Sequence, residues 1–440
     1  MMNVTTLAPR HRVLMVTYGE SVASLPPMFH EGAALAAAGF EVESLHIAPA
    51  SGSDGVDTNV PGFTSRRFRL RARNLFHGLF GRATANRGVA ALQYASTYAE
   101  YVGKAFLLAL RFRADVYEAH DLPALLPTVL AAKMRGKPII YRAHELFSET
   151  HAVVRFARFW RLLDRALVPL CDEVVTPDDF RSRIYHEEFR AKRLPLTVRN
   201  CPPYRPPIES TRLRDELERR GIAFSTVVLY QGLIDSMRCI EEIAEATRHF
   251  GEGVILVVLG SGFGKWADPA AALAPYERIV VLPRVPYEEL PAFTASADIG
   301  ILLYRNDCRN NYYCAPNKVF EYMMMGLPVI APSFPGMVGL VEGEQLGSCV
   351  DPERPMEIAA AVNRMAGDRE GRARMRERGL RLSIELYNWE HESRLLLELI
   401  RSLCARDASR DAGGAHGAGA GEGSDRRSQA VQEGVGGDAR

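Results

Sequence analysis

Short strand-like runs alternate with helical patterns along most of this chain, and the alternation constrains its fold more than any other feature. Each run is too short and too apolar for a half-exposed sheet, which suits parallel βαβ units with helices on both faces. The first set of runs lies within 12–19, 41–48, 115–127, 137–149 and 171–177. We therefore predict an α/β protein built on parallel sheets.

A proline-rich stretch divides the alternation into two rounds. Four of the eight residues at 200–207 are proline, which blocks helix and central strand alike, and strand patterns restart at 226–232. A length of 440 residues also suits two domains. The predicted organisation is an N-terminal domain over 1–200, a linker over 201–207, a second domain over 208–386, a final helix over 387–405 and a disordered tail over 406–440.

The last two of these segments differ sharply in composition. The final helix carries an apolar stripe at helical spacing, formed by Leu395, Leu396, Leu399, Ile400 and Leu403. From about residue 406 the chain is Gly, Ala, Ser and charged residues, with almost nothing to bury, and this favours disorder.

Composition excludes some classes of partner. The formal net charge is +1, so no global field attracts nucleic acid, and we expect no nucleic-acid partner. The seven cysteines are scattered without CxxC or zinc-type spacing, which fits a reducing compartment. Residues 1–10 lack the apolar core of a signal peptide, and no apolar run could span a bilayer. These patterns predict a cytoplasmic protein, or a peripheral one at the inner face of the membrane.

The stretch 316–331 predicts an anion site. A helix is expected to start behind Asn317 as its cap and to end at Gly326, followed by a buried strand. Lys318 in the first turn opposes the helix dipole unless an anion binds there, and Glu321 could accept hydrogen bonds from two ribose hydroxyls. The alternative is a capped surface helix with an exposed lysine and glutamate.

A second cation follows a strand of the same domain. The strand within 226–232 ends at Gly232, and Arg238 stands near the start of the next helix. An arginine there can clamp phosphate oxygens in bidentate fashion. The alternative is a solvated arginine.

Two histidine–carboxylate pairs follow strands of the first domain. His120 and Asp121 come after one predicted strand, and His144 and Glu145 come after another. Ligands of open parallel sheets bind at the carboxyl ends of strands, so both pairs are expected at the cleft edge, with Gly19 after the first strand. Structural histidines and a tight glycine turn are the alternative interpretations.

Several common motifs are absent from the sequence. The run GSGFGK at 260–265 has neither GxGxxG nor GxxxxGK spacing and is expected to be a turn. There is no HExxH, no GxSxG and no acidic pair placed to hold a metal under a diphosphate. We therefore expect no metal, with Arg238 and Lys318 supplying the positive charge.

Residues 66–88 concentrate arginine between aromatic and leucine side chains. The apolar members are Phe68, Leu70, Leu75, Phe76, Leu79 and Phe80. Such a stretch suits an anionic bilayer surface or an acceptor that carries phosphate. An amphipathic helix packed on its own domain, with a solvated basic face, is the other interpretation.

Taken together, these stretches resemble glycosyltransferase family 4 in its PNK-FEYM branch. The resemblance lies in PNKVFEYMMMGLPVIA, DVYEAHDLPALLP, YRAHELFSE, LYQGLIDSMRCIEE, CDEVVTP and the closing YNWE helix. It implies a GT-B fold, in which two Rossmann-like domains face each other and the last helix crosses back to the first domain. It also implies metal-independent transfer of a sugar with retention of anomeric configuration.

The resemblance assigns roles to individual residues. It implies that Glu321 holds the donor ribose and that Arg238 and Lys318 neutralise the departing diphosphate. It further implies that His144 contacts the transferred sugar and that Gly19 lies under the diphosphate. Asn317 and Gly232 complete the expected donor site, whereas His120, Asp121 and Glu145 are expected on the acceptor side.

The sequence departs from the family pattern at two positions. The first glutamate of the EX7E pair falls on Tyr313, and the basic residue expected five positions before Arg238 is Leu233. The PNK-type branch commonly lacks the first glutamate. The missing base at Leu233 leaves Arg238 and Lys318 with more of the diphosphate charge.

The predicted function is therefore a hexosyltransferase that uses a nucleotide-sugar donor and a saccharide or lipid-linked acceptor, with no cofactor. Surface-polysaccharide or cell-envelope glycan synthesis is the expected setting. One alternative is a GT-B epimerase or hydrolase of nucleotide sugars, with Glu145 and Asp121 as acid and base. The other is a degenerate homologue that binds a partner protein.

Overall fold

The N-terminal domain is a twisted sheet covered by helices on both faces. The computed structural model describes residues 11–20, 25–72, 87–150, 156–314 and 316–417. The elements of this domain are β1 (Arg12–Thr17), α1 (Pro26–Ala37), β2 (Glu41–Ile47), β3 (Gly55–Val60), β4 (Phe63–Phe68), α2 (Arg87–Arg111), β5 (Val116–His120), α3 (Leu122–Arg135), β6 (Ile139–Arg142), α4 (Ala157–Leu167), β7 (Glu173–Thr176), α5 (Asp179–Glu187) and β8 (Leu196–Thr197). The strand order is β3-β4-β2-β1-β5-β6-β7-β8.

The second domain repeats this architecture with six parallel strands in the order β11-β10-β9-β12-β13-β14. Its elements are α6 (Arg212–Arg219), β9 (Thr226–Ile234), α7 (Ile240–Ala246), β10 (Val254–Gly262), α8 (Pro269–Leu273), β11 (Ile279–Leu282), α9 (Leu290–Ala295), β12 (Ile299–Ile301), α10 (Arg309–Tyr312), α11 (Asn317–Met324), β13 (Val329–Pro332), α12 (Pro335–Met337), β14 (Gly347–Val350), α13 (Pro355–Gly367) and α14 (Arg369–Glu385).

The final helix, α15 (Trp389–Gly417), packs on the first domain. Leu396, Ile400 and Leu403 are buried in one core with Val13 of β1, and the Trp389 indole donates a 3.1 Å hydrogen bond to the His30 carbonyl. The helix continues to Gly417, so the disorder predicted from residue 406 is wrong for 406–417. The start of this stretch is anchored to the first domain, because Asp407 pairs with Lys137 at 2.6 Å. Residues 418–440 lie outside the described residues.

The edge of the N-terminal sheet differs from the all-parallel prediction. Strands β3 and β4 form an antiparallel hairpin, which the apolar pattern of residues 55–68 did not predict. Residues 66–68 belong to β4, and Phe68 and Leu70 are buried in the domain core, so these two side chains do not face a bilayer. Residues 73–86, which hold the other apolar members of the 66–88 stretch, lie outside the described residues.

Among the helices that the structure describes, none combines the length and the apolar character needed to cross a bilayer.

Candidate active site

A cleft of about 800 Å³ separates the two domains and collects most of the predicted site residues. The carboxyl ends of the parallel strands line it from both sides, as expected for open α/β sheets. The predicted residues in its lining are Asp121, His144, Glu145, Gly232, Arg238, Asn317, Lys318 and Glu321. Gly19 and His120 are not in the lining.

Lys318 lies across the end of β9, against a glycine. A β carbon on Gly232 would lie 2.7 Å from Cε of Lys318 and 2.8 Å from its Nζ, and the φ angle of Gly232 is +115°. The ammonium also lies 5.0 Å from the ring centroid of Tyr230. Burial, and then the charge of Arg238, lower the pKa of Lys318 to about 7. Without a ligand, this lysine is therefore close to half-protonated at neutral pH.

Arg238 enters the cleft from a short 3-10 turn that follows β9. The turn spans Ser236–Arg238, and Cys239 with φ +53° links it to α7. The guanidinium carbon lies 4.2 Å from the ring centroid of Tyr304, and Nε lies 3.9 Å from Asp235. The aromatic face holds the arginine in place. Arg238 is close enough to Lys318 for the two charges to repel, so an anion between them would relieve that repulsion.

Glu321 is oriented by hydrogen bonds rather than by an ion pair. The Gln231 side-chain amide donates a 2.8 Å hydrogen bond to Oε2 of Glu321, and Thr294 Oγ1 lies 2.8 Å from the Gln231 Oε1. Burial raises the pKa of Glu321, while Gln231 and Lys318 oppose that rise. The arrangement leaves the carboxyl group facing the cleft as a fixed acceptor.

Helix α11 begins differently from the sequence prediction. Asn317 is its first residue, whereas Pro316 occupies the cap position, and no side chain accepts a capping hydrogen bond there. The prediction of Asn317 as the cap is therefore wrong, because the preceding proline already supplies the extended φ and ψ of a cap. Asn317 lines the cleft at the first turn of the helix.

The opposite wall is built around His144. Its Nε2 lies 2.9 Å from Nδ1 of His120, and the two rings stack at 5.2 Å. The backbone N–H of His144 donates to Oδ1 of Asp121 at 3.0 Å. Burial, and then the charges of Arg142 and Arg181, lower the pKa of His144 to about 3. His144 is therefore a neutral imidazole at the cleft surface.

The other first-domain candidates differ in position. Asp121 has φ +62°, and burial together with the charge of Glu145 raises its pKa to about 7. The Glu145 side chain is exposed at the cleft. His120 is buried behind His144. The Gly19 N–H bonds to Thr17 Oγ1 at 3.1 Å, and its carbonyl accepts from Ile47, which keeps it in the strand-end turn beside the cleft.

Sequence reasoning missed an interdomain contact. The Arg181 guanidinium donates to the His144 carbonyl at 2.6 Å and, across the cleft, to Oδ1 of Asn310 at 3.1 Å. Oδ1 of Asn310 also accepts from the Leu146 backbone N–H at 2.9 Å. The one local feature of the sequence near Arg181 is Asp178, whose side chain caps α5. A helix cap does not indicate that Arg181 contacts the other domain.

The two departures from the family pattern occupy different places. Leu233 lines the cleft with 41% of its surface exposed, so an apolar side chain stands where a cation was expected. Tyr313 does not line the cleft. Its ring stacks on Phe180 of the first domain at 5.9 Å.

Part of the chain is similar to known glycosyltransferases. Residues 226–368, most of the second domain, match a family described as "Glycosyl transferases group 1". Over 248 residues the chain is 26% identical to an alpha-D-kanosaminyltransferase from Streptomyces kanamyceticus, covering 55% of this chain and 59% of that protein. It is also 26% identical over 222 residues to a D-inositol 3-phosphate glycosyltransferase from Xylanimonas cellulosilytica, covering 47% and 50%. The chain thus spans little more than half the length of these curated relatives.

Solved structures establish the fold over most of the chain. Sucrose-phosphate synthase from Thermosynechococcus elongatus superposes with a TM-score of 0.70 at 18% identity, covering 90% of this chain and all of that one. Anabaena HepE in complex with UDP and glucose superposes with a TM-score of 0.65 at 15% identity, covering 89% and 100%. The fold is GT-B. Within it, residues 226–368 are similar to the group 1 glycosyltransferases.

Proposed function

We propose that this chain is a retaining glycosyltransferase that moves a hexose from a nucleotide-sugar donor to a saccharide or lipid-linked acceptor. The observation that carries the proposal is the arrangement of Lys318, Arg238 and Glu321 in one cleft. Two cations face one space, and the half-buried carboxyl group of Glu321 lies one helical turn from Lys318. A nucleoside diphosphate offers the matching groups, two phosphates and a ribose diol. HepE, described in complex with UDP-glucose, shares the fold and supports a nucleotide-sugar donor.

Catalysis in this proposal is mainly electrostatic. Negative charge develops on the diphosphate as the bond to the sugar breaks, and Arg238 and Lys318 are already placed to meet it. In a front-face reaction the departing phosphate takes the acceptor proton, so no protein base is needed. His144, a neutral imidazole on the opposite wall, contacts the sugar rather than titrating.

The proposed reaction uses no metal ion. Within the described part of the chain, one group of side chains could hold an ion, namely Glu31, Glu118 and His120. None of the three lines the cleft. The positive charge of Arg238 and Lys318 at the donor side supports a transfer without a metal.

Nucleotide-sugar epimerisation or hydrolysis is a second candidate, favoured by one observation. Asp121 lines the cleft beside Glu145, and burial with the charge of Glu145 raises the pKa of Asp121 to about 7, so Asp121 can take up and release a proton at neutral pH. Product analysis without an acceptor separates the two functions. Donor consumption that needs an acceptor supports transfer.

A surface of the first domain supports contact with an anionic membrane. Phe156, which immediately precedes α4, is 36% exposed, and Phe159 and Leu162 on the helix are 45% and 66% exposed. Arg158 and Arg165 of α4 are exposed as well. Apolar side chains beside arginines suit the boundary between headgroups and acyl chains.

This surface contacts α2, the helix that begins at Arg87. Phe156 stacks on Tyr94 of α2 at 5.1 Å, a few residues after the 66–88 stretch ends. We expect sedimentation with phosphatidylglycerol vesicles, but not with phosphatidylcholine alone. Replacing Phe159 and Leu162 by serine should abolish it, whereas Leu130→Ser on α3 should not. Equal sedimentation of all variants would reject the membrane contact.

A thermal-shift panel of nucleotide sugars and free UDP, GDP and ADP, with and without EDTA, tests the proposed function. A ligand that binds only the folded state raises its stability, so a positive result identifies the nucleotide. Stabilisation by one nucleotide series, unchanged by EDTA, supports a metal-free transferase. No shift from any nucleotide would favour the degenerate, partner-binding alternative.

A further inference from the structure

The chain that leaves the first domain after β8 is held by the first turn of α15. Glu392 of that helix is fully buried, and both of its carboxylate oxygens accept hydrogen bonds from Arg199. The Arg199 backbone N–H donates at 2.7 Å and the guanidinium donates at 3.2 Å. The guanidinium carbon also lies 5.6 Å from the ring centroid of Tyr387. A buried carboxylate with both oxygens paired fixes the position of its partner.

Two further contacts join the linker to the same helix. The Trp389 backbone N–H donates to the Pro202 carbonyl at 3.0 Å, and the Tyr204 backbone N–H donates to Oε2 of Glu390 at 2.9 Å. The Trp389 indole donates to the His30 carbonyl of α1, so the start of α15 is itself held by the first domain. The linker over 199–204 is therefore fixed to the first domain through α15.

Asn200 lies within this fixed stretch and faces the cleft. It lines the cleft, and its side chain hydrogen-bonds to the ring of His144. Nε2 of His144 lies 2.9 Å from Nδ1 of His120, so Asn200 occupies the other ring nitrogen. An imidazole has two nitrogens, and here each has a partner. The ring cannot turn without losing one of these hydrogen bonds.

The main chain of His144 is held by a different set of groups. The Arg181 guanidinium donates to the His144 carbonyl at 2.6 Å, and the His144 N–H donates to Oδ1 of Asp121 at 3.0 Å. These partners and His120 all come from the sheet and helices of the first domain. Asn200 alone comes from the linker, so its position depends on the contacts with α15.

We propose that Asn200 is a positioning residue: Glu392 of α15 holds the linker in place, and Asn200 in turn holds the ring of His144 at one angle to the cleft. This inference rests on the proposed function, in which His144 contacts the donor sugar, whereas the contact between Asn200 and His144 is independent of the reaction. The competing explanation is that the Asn200 amide serves only the linker and leaves the ring unaffected.

The test is a ¹⁵N NMR spectrum of the full chain with labelled histidine, with the His144 signals assigned by their loss in His144→Asn. Asn200→Ala should shift the ring signals of His144. The matched control is Asn363→Ala, because Asn363 also makes two hydrogen bonds to main-chain groups but does so within the second domain. That variant should leave the His144 signals in place. Unchanged His144 signals in Asn200→Ala would overturn the proposal.

A variant outside the cleft tests the contribution of α15. Glu392 does not line the cleft, and Glu392→Gln keeps its shape while removing the charge that pairs with Arg199. A carboxamide cannot accept through both of its polar atoms, so the linker should loosen and the His144 signals should shift as they do in Asn200→Ala, by a smaller amount. A folded Glu392→Gln protein with unshifted His144 signals would contradict the role of the helix, even if Asn200→Ala does not fold.

Turnover separates positioning from direct donor binding once the donor is identified. Asn200→Ala should lower kcat by about threefold to tenfold, the equivalent of one hydrogen bond, with donor KM little changed. A raised donor KM with unchanged kcat would instead show that Asn200 binds the donor, and would contradict the positioning role. The NMR measurements need no turnover, so they still test the contact if the protein transfers no sugar.

Discussion

Gly232 and Lys318 fit together so closely that an added methyl group at residue 232 would have to displace the end of the lysine side chain. A β carbon at residue 232 would lie 2.7 Å from Cε of the lysine. The glycine therefore has two functions. It adopts a φ angle of +115° at the end of β9, and it leaves space for the ammonium beside the cleft.

Replacing Gly232 by alanine should displace Lys318 and weaken donor binding. The matched control is Gly39→Ala, since Gly39 has φ +94° but no atom near an added β carbon. Both variants should lose about 1 kcal/mol or more of unfolding free energy through backbone strain. Only Gly232→Ala should raise the donor dissociation constant, measured by calorimetry. Equal donor affinity in both variants would show that the close fit of Gly232 and Lys318 does not contribute to donor binding.

The protein should take up a proton at Lys318 when it binds the donor at alkaline pH. Because the pKa of Lys318 in the free cleft is about 7, the lysine is mostly neutral at pH 8, and a bound diphosphate restores its charge. Affinity for a nucleotide sugar should therefore fall as pH rises from 7 to 9, by up to about tenfold per pH unit. Calorimetry in buffers of different ionisation enthalpy measures the uptake, which should approach one proton at pH 8 and vanish at pH 5.5. Lys318→Met should abolish it, and uptake that persists in that variant would assign the proton elsewhere.

Glu321 should determine donor affinity. Its carboxyl group, oriented by Gln231, is the proposed acceptor for the ribose hydroxyls. Hydrogen bonds to a charged group contribute about 1.5–3 kcal/mol, so Glu321→Ala should weaken donor binding by roughly 10- to 100-fold. Glu252→Ala, at an exposed position of the same domain, serves as the control. An unchanged dissociation constant in Glu321→Ala would reject the ribose role.

The contact between Arg181 and Asn310 should hold the cleft in its present geometry. Asn310→Ala removes an acceptor from Arg181 and from the Leu146 N–H, so we expect a loss of about 1–3 kcal/mol in unfolding free energy. Small-angle scattering should also show a larger radius of gyration without ligand. The neighbouring Asn311, which bonds to Asp307 within its own domain, is the matched control. An unchanged radius in Asn310→Ala would show that the contact does not set the domain angle.

The fold was largely predictable because its signals are local. Apolar runs bounded by turn residues predicted β1, β5 and β6, and the prolines within 200–207 lie between β8, the last strand of the first sheet, and α6. The hairpin of β3 and β4 was not predicted, because its strands at the sheet edge are partly exposed and lack an apolar run. The helix over 406–417 was not predicted, because composition alone does not show that Asp407 pairs with Lys137 at 2.6 Å.

The grouping of residues around the cleft was predictable where the end of a strand or helix places them there. Lys318, Glu321 and Arg238 each follow a strand or stand in the first turns of a helix, and all three line the cleft. Arg181 and Asn310 could not be found in this way, because they are 129 residues apart and meet only across the cleft. The burial of His120 behind His144 could not be predicted either. Both histidines stand at the ends of strands, and the sequence does not show which of them is exposed to the cleft.

Turnover of Arg238→Ala and Lys318→Ala, measured with a saturating acceptor once the donor is identified, tests the central claim most directly. If these cations stabilise the departing diphosphate, each variant should lose about 10²–10³ in kcat, with the acceptor KM little changed. Arg248→Ala, which removes an exposed arginine paired with Glu245 in the same domain, should behave like the wild-type protein. Near-normal turnover in both cleft variants would contradict the assignment of this cleft as a transferase site.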